Sequence, residues 1–187
     1  MRLENVQYTT RKGIGYGAIS GFVAGIAMML VAMATTVMSG MPMLTIPTAI
    51  GLVFGASMKN AVMTGLVMHL ITSTIVGIIF GAVVSNVRKL TITGYGKGIG
   101  EGLIAAMIAF AVISIPLSML VMPPVLVKML IHMHPSMTLK MAMSVLHAKM
   151  ATNIGAAIVR HLVYGVILGV ITTALVLRTQ AKKDTYQ

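Results

Sequence analysis

The most regular feature of the chain is a set of long apolar windows that contain no charged residue. Four windows lack Asp, Glu, Lys and Arg: residues 13–38, 60–87, 102–127 and 161–177. About 20 apolar residues cross the hydrocarbon core of a bilayer. The pattern therefore predicts an all-α integral membrane protein with four transmembrane helices, at residues 13–38, 60–86, 99–122 and 152–177.

Composition agrees with a membrane location and leaves no stretch for a soluble domain. Of the 187 residues, 57% are hydrophobic and 9% are charged, whereas soluble domains carry about 25% charged residues. The first apolar run is longer than the roughly 7–15 apolar residues of a cleaved signal peptide, so we expect it to remain as the first helix. Residues 1–187 are expected to form one membrane domain.

The basic residues, which give the chain a net charge of +11, indicate its orientation. Nine of them lie in three places that an even number of spans puts on one side of the membrane: before helix 1, between helices 2 and 3, and after helix 4. They are Arg2, Arg11, Lys12, Arg88, Lys89, Lys97, Arg178, Lys182 and Lys183. Because cytoplasmic loops are enriched in Lys and Arg, we expect a plasma-membrane protein with both termini in the cytoplasm. No basic patch with interleaved aromatic residues is present, so the charge does not indicate nucleic acid as a partner.

The chain also contains an internal repeat of a two-helix unit. "RKGIGYG" at residues 11–17 returns as "GKGIGEG" at residues 96–102, an offset of 85. Residues 58–84 match residues 150–176 at an offset of 92. A two-helix unit repeated in one chain gives parallel repeats related by an axis along the membrane normal, and we expect them to pack as one four-helix bundle. The two repeats are predicted at residues 11–86 and 96–178.

The second repeat is longer than the first, with an insertion at about residues 128–150. We expect this part of the chain to form short extracytoplasmic helices after helix 3, around residues 124–133 and 137–150. The alternative is a single long helix over residues 137–178 that projects from the membrane. Under either arrangement the added residues lie on the outer side.

Two histidines, His69 and His161, take equivalent positions in the repeat and lie inside apolar runs. Ionisable residues at that depth usually face the interior of a helix bundle. Facing imidazoles could bind a haem iron or line a proton or ion path. They could equally be neutral groups hydrogen-bonded to a helix partner such as Thr72 or Ser73. His69 and His161 are therefore candidates for a cofactor site.

The outer stretch "KMLIHMHPSMTLKMAMSVLHAKM", residues 128–150, is rich in methionine and histidine. Thioether and imidazole groups suit copper, whereas hard cations prefer oxygen ligands. The candidate ligands are His132, His134, His147, Met133, Met143 and Met150. Methionine also fills irregular gaps between helices, and the chain has 19 of them. We therefore expect "HMHPSM" to face partner chains or the outer aqueous layer, its methionines mainly burying apolar surface, with copper binding as the alternative.

Arg160 stands near the outer end of the fourth predicted helix. Its guanidinium could reach outward to lipid headgroups or bind an acidic group of a neighbouring chain. The carboxylates of this chain, Glu4, Glu101 and Asp184, all fall on the predicted cytoplasmic side. An outer arginine without a carboxylate in its own chain indicates a partner subunit or a lipid phosphate.

No enzyme motif occurs in the chain: there is no P-loop, GxSxG, HExxH, carboxylate pair or cysteine. The Gly-rich "GKGIGEG" opens an apolar helix without a preceding strand, so it lacks the context of a phosphate-binding loop. We therefore expect the chain not to be an enzyme on its own. The first expectation is a non-catalytic membrane subunit, and the second is a small transporter or channel. The intramembrane acids and broken helices that would favour a transporter are not evident.

The run "HLVYGVILGV" at residues 161–170 resembles small four-helix membrane proteins of bacteria and archaea. The small four-helix chain with many methionines, no cysteine and an outer "HMHPSM" also resembles an accessory small subunit of an archaeal membrane copper (ammonia) monooxygenase. That resemblance implies other integral membrane subunits as partners, besides lipid, and a complex that uses copper. A further alternative is an outer-face copper-binding or haem-binding membrane protein.

Overall fold

Every regular element in the described part of the chain is a helix. The computed structural model describes residues 9–184, with side chains as far as Ala181. The helices are α1, Thr10–Met38; α2, Thr45–Val53; α3, Ala61–Asn86; α4, Tyr95–Ala109; α5, Met122–Met133; and α6, Leu139–Asp184. Several charged groups used in the sequence argument lie outside what is described: Arg2, Glu4 and the side chains of Lys182, Lys183 and Asp184.

Four helical segments are long and apolar enough to cross a membrane, the same number as the predicted spans. They are Thr10–Met38, Ala61–Asn86, Tyr95–Met133 and Leu139–Ala181. The third contains two π-helical stretches, Phe110–Ser114 and Leu117–Val121, on either side of Pro116. Proline lacks a backbone N–H and crowds the preceding turn, and wider π turns accommodate such a residue without ending the helix.

The separate short helix predicted at residues 137–150 is wrong. Most of these residues form the first part of α6, which continues for 46 residues. No proline or glycine occurs between Leu139 and Ile154, so nothing in this stretch interrupts the backbone hydrogen bonds of a helix. The alternative of one long helix is the arrangement that the structure has. The residues of the other predicted short helix, around 124–133, are helical as α5, which continues the third apolar span without a break.

Glycine ends two of the helices. After α1, Gly40 has a φ of +71°, its N–H donates to the carbonyl of Val37, and the N–H of Met41 donates to the carbonyl of Thr36. This pair of bonds is the Schellman motif, which needs a residue in the left-handed region and therefore favours glycine. Gly55, with a φ of +80°, ends α2 in the same way. The sequence thus fixes where α1 and α2 stop.

The chain divides into two compact units by its internal contacts. Unit 1 comprises Met1–Met28, Leu70–Ile108 and His161–Gln187, and unit 2 comprises Met29–His69 and Ala109–Arg160. The apolar core of unit 1 is a single cluster of buried side chains: Ala24, Phe80, Val84, Ile92, Ala106, Tyr164, Leu168 and Val176. These residues come from α1, α3, α4, α6 and the α3–α4 connection, so all four apolar spans contribute to unit 1.

Glycines set the helix contacts of unit 1. A Cβ at Gly17 of α1 would overlap the carbonyl oxygen of Gly77 in α3, and a Cβ at Gly102 of α4 would lie 2.9 Å from the backbone nitrogen of Gly169 in α6. Small residues allow membrane helices to approach until their backbones touch. The packing of α1 on α3, and of α4 on α6, therefore depends on the absence of side chains at these positions.

In unit 2, α2 packs against both the start of α3 and α5. Gly65 of α3 meets the carbonyl of Pro47, and Gly51 of α2 meets the backbone of Ala61, closely enough that a Cβ at either glycine would overlap it. Pro47 and Gly51 are buried, so one face of this short helix is in contact with the rest of the unit. The short helix is thus a packed element and not a free loop.

Candidate functional site

The six side chains predicted as copper ligands all lie at the surface of unit 2. The exposed residues are His132, His134, His147, Met133, Met143 and Met150. Met143, His147 and Met150 share one face of α6, since residues spaced by four and seven positions line up along a helix. Among the described residues, no three His, Cys, Asp or Glu side chains come together in a group that could hold a metal ion. Copper binding here stays a prediction.

The methionines of this stretch bury little apolar surface within their own chain. Met133, Met143 and Met150 are 38%, 45% and 41% exposed, respectively. Met129 of α5 is the contrasting case, being 3% exposed. If the exposed methionines cover apolar surface, that surface belongs to another molecule.

The two histidines of the predicted cofactor site belong to different units of the structure. His161 is 7% exposed and lies in unit 1, whereas His69 is half-buried and is the last residue of that part of unit 2. Each takes part in a hydrogen bond, a ring contact or an electrostatic interaction. A haem held by both remains a prediction.

Lys149 has a defined structural task in unit 2. Its Nζ donates a hydrogen bond to the carbonyl oxygen of Ser39 at 2.5 Å, just beyond the last residue of α1. The last carbonyls of a helix have no partner within it and carry a partial negative charge. An ammonium group there satisfies one of them and complements that charge. This contact ties α6 to the end of α1.

Carboxylates are absent from unit 2, which nevertheless carries several cations. Its basic residues are Lys59, Lys128, Lys140, Lys149 and Arg160. No Asp or Glu occurs within its two segments, Met29–His69 and Ala109–Arg160. Arg160 is half-buried in α6. No ion pair inside unit 2 can therefore neutralise Arg160, and the other cations likewise lack a carboxylate there.

A set of buried polar contacts links α6 to α1 and α3 within unit 1. The hydroxyl of Tyr164, which is 3% exposed, donates to the carbonyl oxygen of Ser73 at 2.6 Å. Thr172 donates to the hydroxyl of Ser20 at 2.9 Å. Nearer the C-terminal end of α6, the hydroxyls of Tyr16 and Thr179 are hydrogen-bonded to each other. These contacts satisfy the hydroxyl groups in place of water.

Two buried polar atoms of unit 1 lack a hydrogen-bond partner among the described residues, Oε2 of Glu101 and Nε2 of Gln180. The side chain of Glu101 is 11% exposed. The Nζ of Lys97 lies 3.8 Å from Oε1, beyond hydrogen-bond length, and donates instead to the carbonyl oxygen of Lys89 at 2.9 Å. The third apolar span therefore contains a largely buried carboxyl group. From the sequence alone, Glu101 is only a charge on the predicted cytoplasmic side.

A signal for Glu101 was present in the repeat. In the alignment of "RKGIGYG" with "GKGIGEG", Glu101 takes the place of Tyr16, so one polar group replaces another at the same helix position. Hydropathy alone could not find it, because a charge near the end of an apolar run reads as a boundary.

No protein-family model matches the chain, and neither a curated protein nor a solved structure matches it.

Proposed function

We propose that the chain is a non-catalytic integral membrane subunit that scaffolds or stabilises a larger complex of the plasma membrane. The observation that carries the proposal is the length of α6. At 1.5 Å per residue, its 46 residues extend for about 69 Å. A bilayer with its headgroups is about 40–45 Å thick. Even at the usual tilt of about 20°, about 20 Å of α6 stands clear of the membrane.

The part of α6 that we place outside the membrane is its first turns. Residues 161–177 contain no charge and suit the hydrocarbon, whereas Lys140 and Lys149 precede them. From Leu139 to Ile154, only Ala142 is buried. A helical surface that exposes methionine and leucine in water is typical of a contact with another protein. The partner's side of that contact would supply the carboxylates that unit 2 lacks.

Position-specific photo-crosslinking in native membranes tests the subunit proposal. A photo-reactive amino acid at Met143, on the exposed face of α6, is expected to join the chain to another polypeptide. The same group at Ile19, which is 54% exposed in the apolar part of α1, is the control and is expected to give lipid adducts. Lipid adducts alone at Met143 would contradict a partner subunit.

The transporter alternative is separated from this proposal by purification. If the protein is a single monodisperse species in detergent and moves a solute across liposomes by itself, the subunit proposal fails. The observation that favours a transporter is Glu101, since carboxyl groups inside spans often mark ion or proton paths. The subunit proposal expects no such activity from the isolated chain.

We also propose that the two halves are parallel repeats. Three close approaches between α1 and α3 have counterparts between α4 and α6 at offsets of 85 and 92, and these support the proposal. They are Gly13–Gly81, Gly17–Gly77 and Gly21–Ser73, matched by Gly98–Thr173, Gly102–Gly169 and Ala106–Gly165. Chance similarity of sequence would not reproduce three contacts in one register. The two helix pairs thus use the same packing surface.

Both termini are proposed to lie in the cytoplasm, with the start of α6 on the outer side. The chain contains no cysteine, so single-cysteine variants report topology without background. Ser136→Cys, at an exposed position, is expected to react with an impermeant maleimide added outside the cell. Lys89→Cys, also exposed, is the control and is expected to react only after the membrane is opened. The reverse pattern would overturn the orientation.

A copper-dependent oxidoreductase is the class of complex that the exposed histidines and methionines favour. Three of them share a face of α6, which makes a soft ligand set on one surface. The test is the copper content of the purified complex, wild type against a triple variant in which His132, His134 and His147 are replaced by alanine. Lower copper in an intact assembly supports binding. Unchanged copper with a lost assembly assigns these residues to the contact with the partner.

A further inference from the structure

Glu101 carries the one carboxyl side chain within the described part of the chain. It lies on α4, between Gly98 and Gly102 in the sequence, where that helix packs closely on α6. Its Oε2 is buried and has no donor. An ionised carboxylate whose oxygen is removed from water without a hydrogen bond is strongly disfavoured, and a partly exposed ammonium 3.8 Å from the other oxygen offsets only part of that cost. Oε2 therefore needs a bound hydrogen or cation that the surrounding side chains do not provide.

Lys97 does not meet that need. It is the charged residue whose field acts on Glu101, one helical turn away on the same helix. The separation of 3.8 Å to Oε1 leaves no hydrogen bond, and the ammonium group is bonded to the carbonyl of Lys89. The side chain of Lys97 is also 36% exposed, so water screens its charge. The ion pair therefore stabilises the charged carboxylate only in part, and it leaves Oε2 without a hydrogen bond.

The repeat explains why a partner is missing. Glu101 corresponds to Tyr16, whose hydroxyl is bonded to Thr179 of α6. At an offset of 92, the counterpart of Thr179 is Val87, which has no polar side chain and lies beyond the end of α3 at Asn86. Helix α6 continues past the equivalent point and supplies a hydroxyl, whereas α3 does not. The polar group on α4 consequently has no matching donor.

We propose that Glu101 binds a proton on Oε2 and is a proton-binding site within the helix bundle. A metal ion would need several oxygen ligands around it, whereas a fully buried oxygen accepts a proton without any added volume. The step is –COO⁻ + H⁺ → –COOH, in which an O–H bond forms and no electron is transferred. The protonated form removes a partly compensated charge from the interior of unit 1. This inference does not rest on the subunit proposal.

The chain is well suited to a direct test, because it contains only three Asp and Glu residues. Infrared spectroscopy of the full-length protein in lipid at neutral pH detects the carbonyl stretch of a protonated carboxyl group, which lies apart from the amide bands. We expect one such band that shifts to lower frequency in D2O and is lost in Glu101→Gln. The matched controls, Glu4→Gln and Asp184→Asn, are expected to keep it.

A second measurement on the wild-type protein covers the case in which Glu101→Gln does not fold. Dicyclohexylcarbodiimide reacts with protonated carboxyl groups in apolar surroundings, and mass spectrometry of the peptides locates the adduct. We expect the adduct on Glu101. Absence of the carbonyl band at neutral pH overturns the proposal, as does a band that persists in a folded Glu101→Gln variant. Labelling confined to Glu4 or Asp184 overturns it as well.

Discussion

Gly15 and Gly17 of α1 form a matched pair for testing how the spans of unit 1 are held together. Both are helical glycines two residues apart, yet their surroundings differ. A Cβ at Gly15 would meet no atom within 4 Å, whereas one at Gly17 would overlap the Gly77 carbonyl and lie 3.0 Å from the Cα of Gly81. We expect Gly17→Ala to destabilise the protein and Gly15→Ala not to.

The expected magnitude follows from the distances. The overlap with the Gly77 carbonyl oxygen means that α1 and α3 must move apart by roughly 1 Å or more, which forfeits about half of each contact's 0.1–0.2 kcal/mol. For an interface of on the order of 40 atom pairs, the loss is about 2–4 kcal/mol. Overpacked cores lose about 1–3 kcal/mol. The gain in helix propensity, about 1 kcal/mol, is shared by both variants and cancels in their difference.

Unfolding by SDS in mixed micelles measures this difference in the free energy of unfolding. The chain has no tryptophan and no cysteine, so a fluorophore pair on two introduced cysteines, one on α1 and one on α3, reports their separation. Equal stability of Gly15→Ala and Gly17→Ala would refute the reasoning. The same comparison at Gly100 and Gly102, the counterparts at an offset of 85, should give a similar difference, because Gly100 is also open and Gly102 meets Gly169.

Two further variants test polar contacts inside the units. Tyr164→Phe removes the bond to Ser73 and should lower the free energy of unfolding by about 0.6–1.7 kcal/mol, the range for hydrogen bonds between membrane helices; no change would argue against that bond. Lys149→Met removes the donor to Ser39 at the end of α1 and should cost about 0.3–1 kcal/mol. Lys140→Met, at an exposed position of the same helix, is the control, and an equal loss there would count against the helix-end contact.

The four apolar spans could be predicted from the sequence because charged residues are unfavourable in hydrocarbon, so a spanning segment appears as a long window without charge. The beginning of α6 could not be found in that way. The sequence leaves two arrangements open there, a separate short helix at residues 137–150 or one long helix over residues 137–178. A charged residue marks where a helix leaves the bilayer, but it does not end the helix. A helix ends at a proline, a glycine or a capping residue. Nothing of that kind lies between Leu139 and Ile154, so the helix continues.

The candidate sites were predictable to different degrees for a related reason. Methionine and histidine in "HMHPSM" are visible as residue types, and the structure adds that they are exposed. The uncompensated state of Glu101 depends on which atoms surround its Oε2, and no periodicity encodes that. The repeat pointed to the position through Tyr16, but the missing partner became visible only once α3 was seen to end at Asn86.

The unequal lengths of α3 and α6 connect these observations. Helix α6 exceeds α3 at both ends: near its N-terminus it provides Lys149 for the end of α1, and near its C-terminus it provides Thr179 for Tyr16. Where α3 is short, the corresponding donor is absent and Oε2 of Glu101 has no hydrogen-bond partner among the described residues. Under the proposed repeat, the two halves therefore differ in chemistry through the length of one helix. Lengthening α3 so that a threonine replaces Val87 in a continued helix should supply Glu101 with a donor, and the carbonyl band of the protonated acid should then weaken or shift.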